Sequence, residues 1–235
     1  MESVLLLSIL AGSTMPLGAA AARWLRLHPR WLESELRHGV VAFGGGVLIA
    51  AVALVLIPEG TSRLSPLAVS LSFGAGGLIF FFVDRAISRS DLKASQLLAM
   101  LLDFIPESIA LGAMLASGEA GGLVLALMIA LQNFPEGYNA YLEMKAAGRL
   151  RPNMILSAFA ILVLLGPTAA ISGYVFLFDE HAVLGSIMCF AAAGILYLTF
   201  QDIAPRSHVR NRWAPALGAV GGFLTGLLGQ MILLG

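Results

Sequence analysis

The chain has 235 residues, of which 58% are hydrophobic and only 12% are charged. A soluble domain of this size carries about 25% charged residues, so this composition excludes a large soluble core. The formal net charge is zero, which excludes nucleic acid as an expected partner. We expect an integral membrane protein in contact with lipid, with one transmembrane domain over residues 1–235.

Apolar runs of about 20 residues, the length that crosses a bilayer as a helix, recur along the whole chain. The connections between them are short, so each run is interpreted as one helix. The eight runs cover residues 4–22, 39–57, 66–83, 92–116, 121–144, 152–178, 182–201 and 214–234. The sequence therefore predicts an all-α polytopic membrane protein with eight transmembrane helices.

Basic residues occur in alternate loops of this eight-helix arrangement. Of the 14 Lys and Arg residues, all but Arg63 lie on the side opposite to the termini. The basic loops contain Arg23, Arg26, Arg30 and Arg37, then Arg85, Arg89 and Lys93, then Lys145, Arg149 and Arg151, and finally Arg206, Arg210 and Arg212. Because cytoplasmic loops are enriched in Lys and Arg, both termini are expected outside.

Two polar stretches interrupt the fourth and fifth apolar runs, and each contains a Pro-Glu pair with a polar residue four positions before the Glu. An ionisable group in hydrocarbon is costly and normally marks a site or a pathway. At a rise of 1.5 Å per residue, both stretches lie near the middle of a core about 30 Å thick. Two facing helices would present five side chains to one small volume: Asp103, Glu107, Gln132, Asn133 and Glu136.

This set of three carboxylates and two amides offers oxygen ligands to a cation. Crowded carboxylates need a compensating charge, and no Lys, Arg or His occurs at that depth in these two helices. Pro106 and Pro135 also leave the carbonyl groups of Leu102 and Leu131 without their usual helical donors, and such carbonyls can coordinate ions. The alternative is that the polar groups hydrogen-bond one another and hold the helices together.

These residues resemble the motifs of the ZIP family of divalent-metal transporters, in particular its bacterial branch. The run Gln132-Asn133-Phe134-Pro135-Glu136-Gly137 is similar to the fifth-helix motif of that family. Residues 44–48, 57–60, 81–85, 166–168 and 201–208 resemble parts of its second, third, sixth and seventh helices. The resemblance implies a ZIP-like bundle, a homodimer, and a location in the plasma membrane, the inner membrane of a bacterial cell.

The first motif departs from the family pattern, His-Asn-x-Pro-Glu-Gly. Asp103, Phe104 and Ser108 stand where the His, the Asn and the Gly would be, and Gly166 replaces a frequent Glu. A metal-contacting Met of the second helix would fall at Leu48. Family members often hold two adjacent metals, and these losses favour a single site formed by Asp103, Glu107, Gln132, Asn133 and Glu136. Without imidazole the ligands are harder, which favours Mn²⁺, Fe²⁺ or Mg²⁺, while zinc stays open through its higher general affinity.

The resemblance implies transport of divalent transition-metal cations, zinc, iron or manganese, from outside into the cytoplasm. The metal is the substrate, and we expect neither an organic cofactor nor enzymatic activity. Because no nucleotide-binding motif is present, movement would follow a gradient or be coupled to protons. Two alternatives stay open: a metal-binding sensor or structural protein that does not transport, and an intramembrane metal-dependent hydrolase.

Several acidic and amide residues near the helix ends are candidates for the route of the cation. Glu59 closes the second predicted helix at the outer face, where it either attracts cations or is simply solvated. Glu143 lies seven residues after Glu136, hence on the same helix face, and Asn139 follows Glu136 by three. Asp202 either joins the route at the inner end or pairs with Arg206.

Overall fold

The structure, a computed structural model, describes residues 1–25, 30–89, 95–207 and 214–235. Four residues of the predicted basic loops, Arg26, Lys93, Arg210 and Arg212, lie outside the described residues. So does the predicted beginning of the fourth run, residues 92–94.

The described chain is built from α-helices and contains no strand in those ranges. The helices are α1 Glu2–Trp24, α2 Arg30–Ala51, α3 Ile57–Thr61, α4 Pro66–Arg89, α5 Ser95–Ala116, α6 Gly121–Ala147, α7 Pro152–Leu162, α8 Leu165–Phe176, α9 His181–Leu198, α10 Ala204–Ser207 and α11 Ala214–Leu234. Two π-helices of five residues continue the chain without a break, π1 Val52–Leu56 from α2 into α3 and π2 Thr199–Ile203 from α9 into α10.

The apolar helices confirm the prediction of an all-α protein with helices fit to cross a membrane. Seven segments of the described chain are long and apolar enough: Glu2–Trp24, Glu35–Thr61, Pro66–Arg89, Gln96–Ala116, Pro152–Phe176, His181–Ser207 and Pro215–Leu234. The remaining predicted run forms α6, a helix of 27 residues whose polar side chains at positions 132, 133 and 136 lower its hydropathy. Eight spans, and termini on the outside, stay predictions.

The predicted run 152–178 differs from the structure, because it divides into α7 and α8 at a turn formed by Val163 and Leu164. Pro167 explains the division. Its nitrogen cannot donate to the carbonyl of Val163, four residues earlier. The amide of Gly166 takes that acceptor instead, at 3.2 Å.

Four pairs of helices cross where glycines allow their backbones to touch. In the first pair, Gly18 of α1 lies against the carbonyl of Phe134 in α6, and Gly137 of α6 lies against the carbonyl of Met15 in α1. Glycines on both helices also lie at the crossings of α2 with α11, α4 with α9 and α5 with α8, at Gly46 and Gly222, Gly76 and Gly194, and Gly112 and Gly173. All of them lie against backbone of the other helix except Gly194, which lies against the ring of Phe80. Small residues at such crossings let membrane helices pack closely.

The α2–α11 crossing accounts for the glycine repeat of the last helix. Gly218 and Gly222 lie against backbone carbonyls of α2, and a Cβ atom on Gly226 would lie 2.6 Å from that of Ala50 in the same helix. This glycine face therefore packs within one chain.

The helix that carries most of the predicted site, α6, lies at the centre of the bundle. It packs against α1, α2, α5 and α11. By contrast, α4 lies at the periphery against α9, and only Gly76 and Phe80 of its residues are buried. The bundle thus places the motif-bearing helices α5 and α6 side by side in its interior.

Candidate metal site

The structure places the five predicted site residues in one buried region between α5 and α6. Asp103 is 3% exposed, and Glu107, Gln132 and Asn133 are fully buried. Glu136 is partly buried. The two helices also bring the three carboxyl groups within range of one another, since Glu136 interacts electrostatically with Asp103 and Glu107, and Asp103 with Glu107. The three carboxyl groups therefore lie near one another between the two helices, while the assignment of the five residues to one metal site stays a prediction.

The two amide nitrogens of the site have protein acceptors. Nε2 of Gln132 donates to Oε2 of Glu107 at 2.6 Å and so bridges α6 and α5. Nδ2 of Asn133 donates to the carbonyl oxygen of Ala11 in α1 at 3.1 Å. These bonds correspond to the interhelical hydrogen bonding that the sequence left as an alternative.

Hydrogen bonding does not account for the oxygen atoms of the site. Each of the five side chains has one buried oxygen without a hydrogen-bond partner among the described residues. They are Oδ1 of Asp103, Oε1 of Glu107, Oε1 of Gln132, Oδ1 of Asn133 and Oε2 of Glu136. A buried polar atom without a partner costs about 1–3 kcal/mol. Oxygen atoms of this kind are the ligands that a hard or borderline cation binds, and five of them lie in this region.

The acidic residues alone do not form a compact ligand cluster. Within the described ranges, no group of three or more His, Cys, Asp and Glu side chains is arranged to hold a metal ion. An ion bound here would therefore need the amide oxygens of Gln132 and Asn133 as well as carboxylates.

A cavity of about 630 Å³ leads away from Glu136 toward one end of the bundle. Asn139, Leu142 and Glu143 line it along one face of α6, and Gly44, Gly45 and Pro135 form its inner part. The prediction that Asn139 and Glu143 line a route from Glu136 agrees with this geometry. Glu143 also accepts a hydrogen bond from the backbone amide of Gln96, at 3.0 Å.

The cavity ends among basic side chains. Arg37, His38 and Arg206 line its far part. Arg206 pairs with Asp202 at 3.5 Å, as one of the two sequence alternatives expected, and Asp202 is not a lining residue of the cavity. This end of the bundle is the one that the charge distribution assigns to the cytoplasm.

At the opposite end, one arginine joins two glutamates. Arg63, in the turn between α3 and α4, lies 2.8 Å from Oε2 of Glu59 and 2.6 Å from Oε2 of Glu119. Burial lowers the pKa of Arg63, but the hydrogen bonds and charges of the two glutamates raise it above its ordinary value overall. Glu59 is therefore paired and not merely solvated.

Sequence reasoning missed this cluster of Arg63, Glu59 and Glu119. Arg63 and Glu119 are 56 positions apart, and only the folded chain brings their two turns together. One signal was present: Arg63 is the single basic residue on its side of the predicted membrane.

Two departures from the family pattern, Phe104 and Gly166, contact each other. A Cβ atom on Gly166 would lie 2.8 Å from Cζ of Phe104 and 3.2 Å from the carbonyl oxygen of Ser8. The ring also passes close to Gly12 of α1, and Phe104 is fully buried. An aromatic ring thus fills the space that a side chain at position 166 would occupy.

No family model matches this chain, and no curated protein matches it.

Proposed function

We propose that this protein transports divalent transition-metal cations, zinc, iron or manganese, across a membrane into the cytoplasm. The metal passes as substrate through the site formed by Asp103, Glu107, Gln132, Asn133 and Glu136. In this proposal the protein is an eight-span, ZIP-like permease of the bacterial inner membrane, with both termini outside and a homodimeric state. The observation that carries the proposal is the set of five buried side-chain oxygens that have no hydrogen-bond partner in the part of the chain that the structure describes.

Cation binding gives those oxygens the partners that they lack. The carboxylates compensate the charge of a divalent ion. Together with the two amide oxygens, they replace its water ligands. Gln132 and Asn133 have a second role, because their nitrogens are anchored to Glu107 and to α1. The anchors hold the amide groups in place, so little side-chain freedom is lost when a metal binds.

The cavity supports a direction for the movement. It begins at Glu136 and ends among Arg37, His38 and Arg206, at the end assigned to the cytoplasm. In alternating access, one conformation opens the central site to one side only. The present conformation corresponds to an inward-facing state, from which the cation leaves past Asn139 and Glu143.

Uptake into sealed proteoliposomes containing a metal-sensitive dye tests this function. We expect flux of Zn²⁺, Fe²⁺ or Mn²⁺ that is abolished by Glu107→Ala and by Glu136→Ala. The matched control is Glu180→Ala, because Glu180 is exposed in the turn before α9, at the end of the bundle away from the cavity. Stoichiometric binding without flux would instead identify a sensor or structural protein, and cleavage of peptide or lipid by the purified protein would identify a hydrolase.

A further inference from the structure

The end of the bundle opposite to the cavity carries a cluster of Arg63, Glu59 and Glu119, here called the Arg63 clamp. The guanidinium group bonds the carboxylates of Glu59 and Glu119 with separate nitrogens, and it also bonds the main-chain carbonyl of Glu59. The Arg63 side chain is only 10% exposed. The clamp thus ties the end of α3 to the turn between α5 and α6, the two helices that carry the site.

We propose that the Arg63 clamp is the outer gate of the transport path. The three side chains are paired in the structure, and the cavity beside Glu136 lies toward the other end of the bundle. A transporter that alternates between two sides needs such a gate, since both ends must not be open together. This inference rests on the proposed function for what passes the gate. The opening and closing of the clamp can be tested without it.

The segments that carry the clamp are suited to movement. The five residues of π1 lie immediately before α3, and Pro58 follows at the second position of α3. A π-helix inside an α-helix is frequent at functional sites and is one of the places where a helix kinks, because its hydrogen-bond register differs from that of its neighbours. Glu119 lies in the short turn after Gly118, whose φ is +72°. Both carboxylates can therefore separate without disruption of α2, α5 or α6.

The chemistry of the clamp makes it reversible. Two glutamates share one guanidinium, and their side chains are still 34% and 25% exposed. Ion pairs that water can reach contribute little each and are screened by salt. A cation arriving from outside competes with Arg63 for the same carboxylates, so its approach favours the open clamp.

The native cysteine lies directly behind the clamp and can report its opening. A Cβ atom on Gly60 in α3 would lie 2.8 Å from Sγ of Cys189 in α9, and Cys189 is 1% exposed. Cys189 is the only cysteine of the chain. Movement of α3 away from α9 would therefore expose the single thiol.

The test measures the rate at which a membrane-impermeant maleimide modifies Cys189 in purified protein, without added metal. Arg63→Met removes both ion pairs and keeps most of the apolar stem, so we expect about a tenfold faster reaction. Arg149→Met is the control, because Arg149 is exposed in a loop at the other end, and it should not change the rate. Equal rates for Arg63→Met and the unmodified sequence would overturn the proposal.

A second readout separates a gate from local loosening. In a Cys189→Ser background, Leu142→Cys places a thiol in the cavity. A gate predicts that Arg63→Met slows labelling of this cavity thiol, because the outward-open population rises at the expense of the inward-open one. Faster Cys189 labelling with unchanged cavity labelling would contradict the gate. Should Arg63→Met not fold, the double variant Glu59→Gln with Glu119→Gln breaks the same pairs.

Neither labelling assay depends on metal flux. A protein that binds metal without transporting it would still show the two labelling changes if the gate exists. If the protein transports metal but Arg63→Met changes neither labelling rate, the gate proposal is wrong and the transport proposal stands.

Discussion

Phe104 and Gly166 form a complementary pair at the residue scale. The aromatic ring lies between α1 and α8, and the absence of a side chain at Gly166 makes room for its tip. The effects of substitutions at Phe104 and Gly166 on the free energy of unfolding should therefore be coupled.

We expect Gly166→Ala to lower the free energy of unfolding by about 1–3 kcal/mol, because the new methyl group overlaps Cζ of Phe104. Phe104→Leu shortens the side chain, so the double variant should lose less than the two single losses added together. Denaturant unfolding in detergent measures this coupling. Gly77→Ala in α4 is the control, since nothing lies within 4 Å of its added methyl group. Full additivity would show that the contact carries no energy.

In the proposed site we expect Asp103 to influence which metal is preferred. Replacement by histidine, Asp103→His, supplies an imidazole nitrogen, so the ratio of bound Zn²⁺ to bound Mn²⁺ should rise by about tenfold. Asp103→Asn removes the charge and keeps an oxygen, so it should weaken all metals without this shift. Mass spectrometry of metal retained after competition gives the ratio. An unchanged ratio in Asp103→His, or no metal in any form, would refute the ligand assignment.

At this scale the sequence predicts which side chains share a helix face, because helix phase is a local property, while their role as metal ligands stays a prediction. Asp103 and Glu107 share a face of α5 whatever surrounds them, and Gln132 and Glu136 share a face of α6. The Arg63 clamp depends instead on two distant turns meeting at one end of the bundle. No local pattern encodes that meeting.

At the scale of helices, hydropathy located the elements and missed their irregularities. The last predicted run, residues 214–234, agrees with α11 at both ends. The five residues of π1 are as apolar as those of the flanking α2, so hydropathy does not mark this π-helix. The other, π2, contains Thr199, Gln201 and Asp202 after the apolar end of α9. Pro58 and Pro205, which follow the two π-helices, were further local signs. The division between α7 and α8 was readable in principle from the Gly166-Pro167 pair.

The glycine crossings predict opposite effects of one substitution within a single helix. Gly46→Ala should lower the free energy of unfolding by about 1–3 kcal/mol, because its methyl group would meet the backbone carbonyl of Ala219, which cannot rotate away. Gly39→Ala, also in α2, has open space at the same atom. It should be neutral or stabilise the helix by up to about 1 kcal/mol. Thermal unfolding of the two variants measures this difference. Equal losses of stability in Gly46→Ala and Gly39→Ala would contradict the crossing geometry.

For the whole molecule, the alternation of basic loops predicts the orientation in the membrane. Glu180 lies in the turn before α9, and Leu150 lies in the basic turn before α7; both are exposed. In a Cys189→Ser background, an impermeant thiol reagent should label Glu180→Cys in intact cells. Leu150→Cys should be labelled only after lysis. The reverse labelling pattern would show that the orientation in the membrane is opposite to the prediction, and the proposed direction of transport would then be wrong.

The four glycine crossings also have a consequence for how the protein is made. Each joins helices that are far apart in the chain, α1 with α6, α2 with α11, α4 with α9 and α5 with α8. Because chains grow at about 5–20 residues per second, the glycine face of α2 waits on the order of ten seconds or more for α11. During synthesis the glycine face of α2 must therefore stay without its partner helix until α11 has followed it.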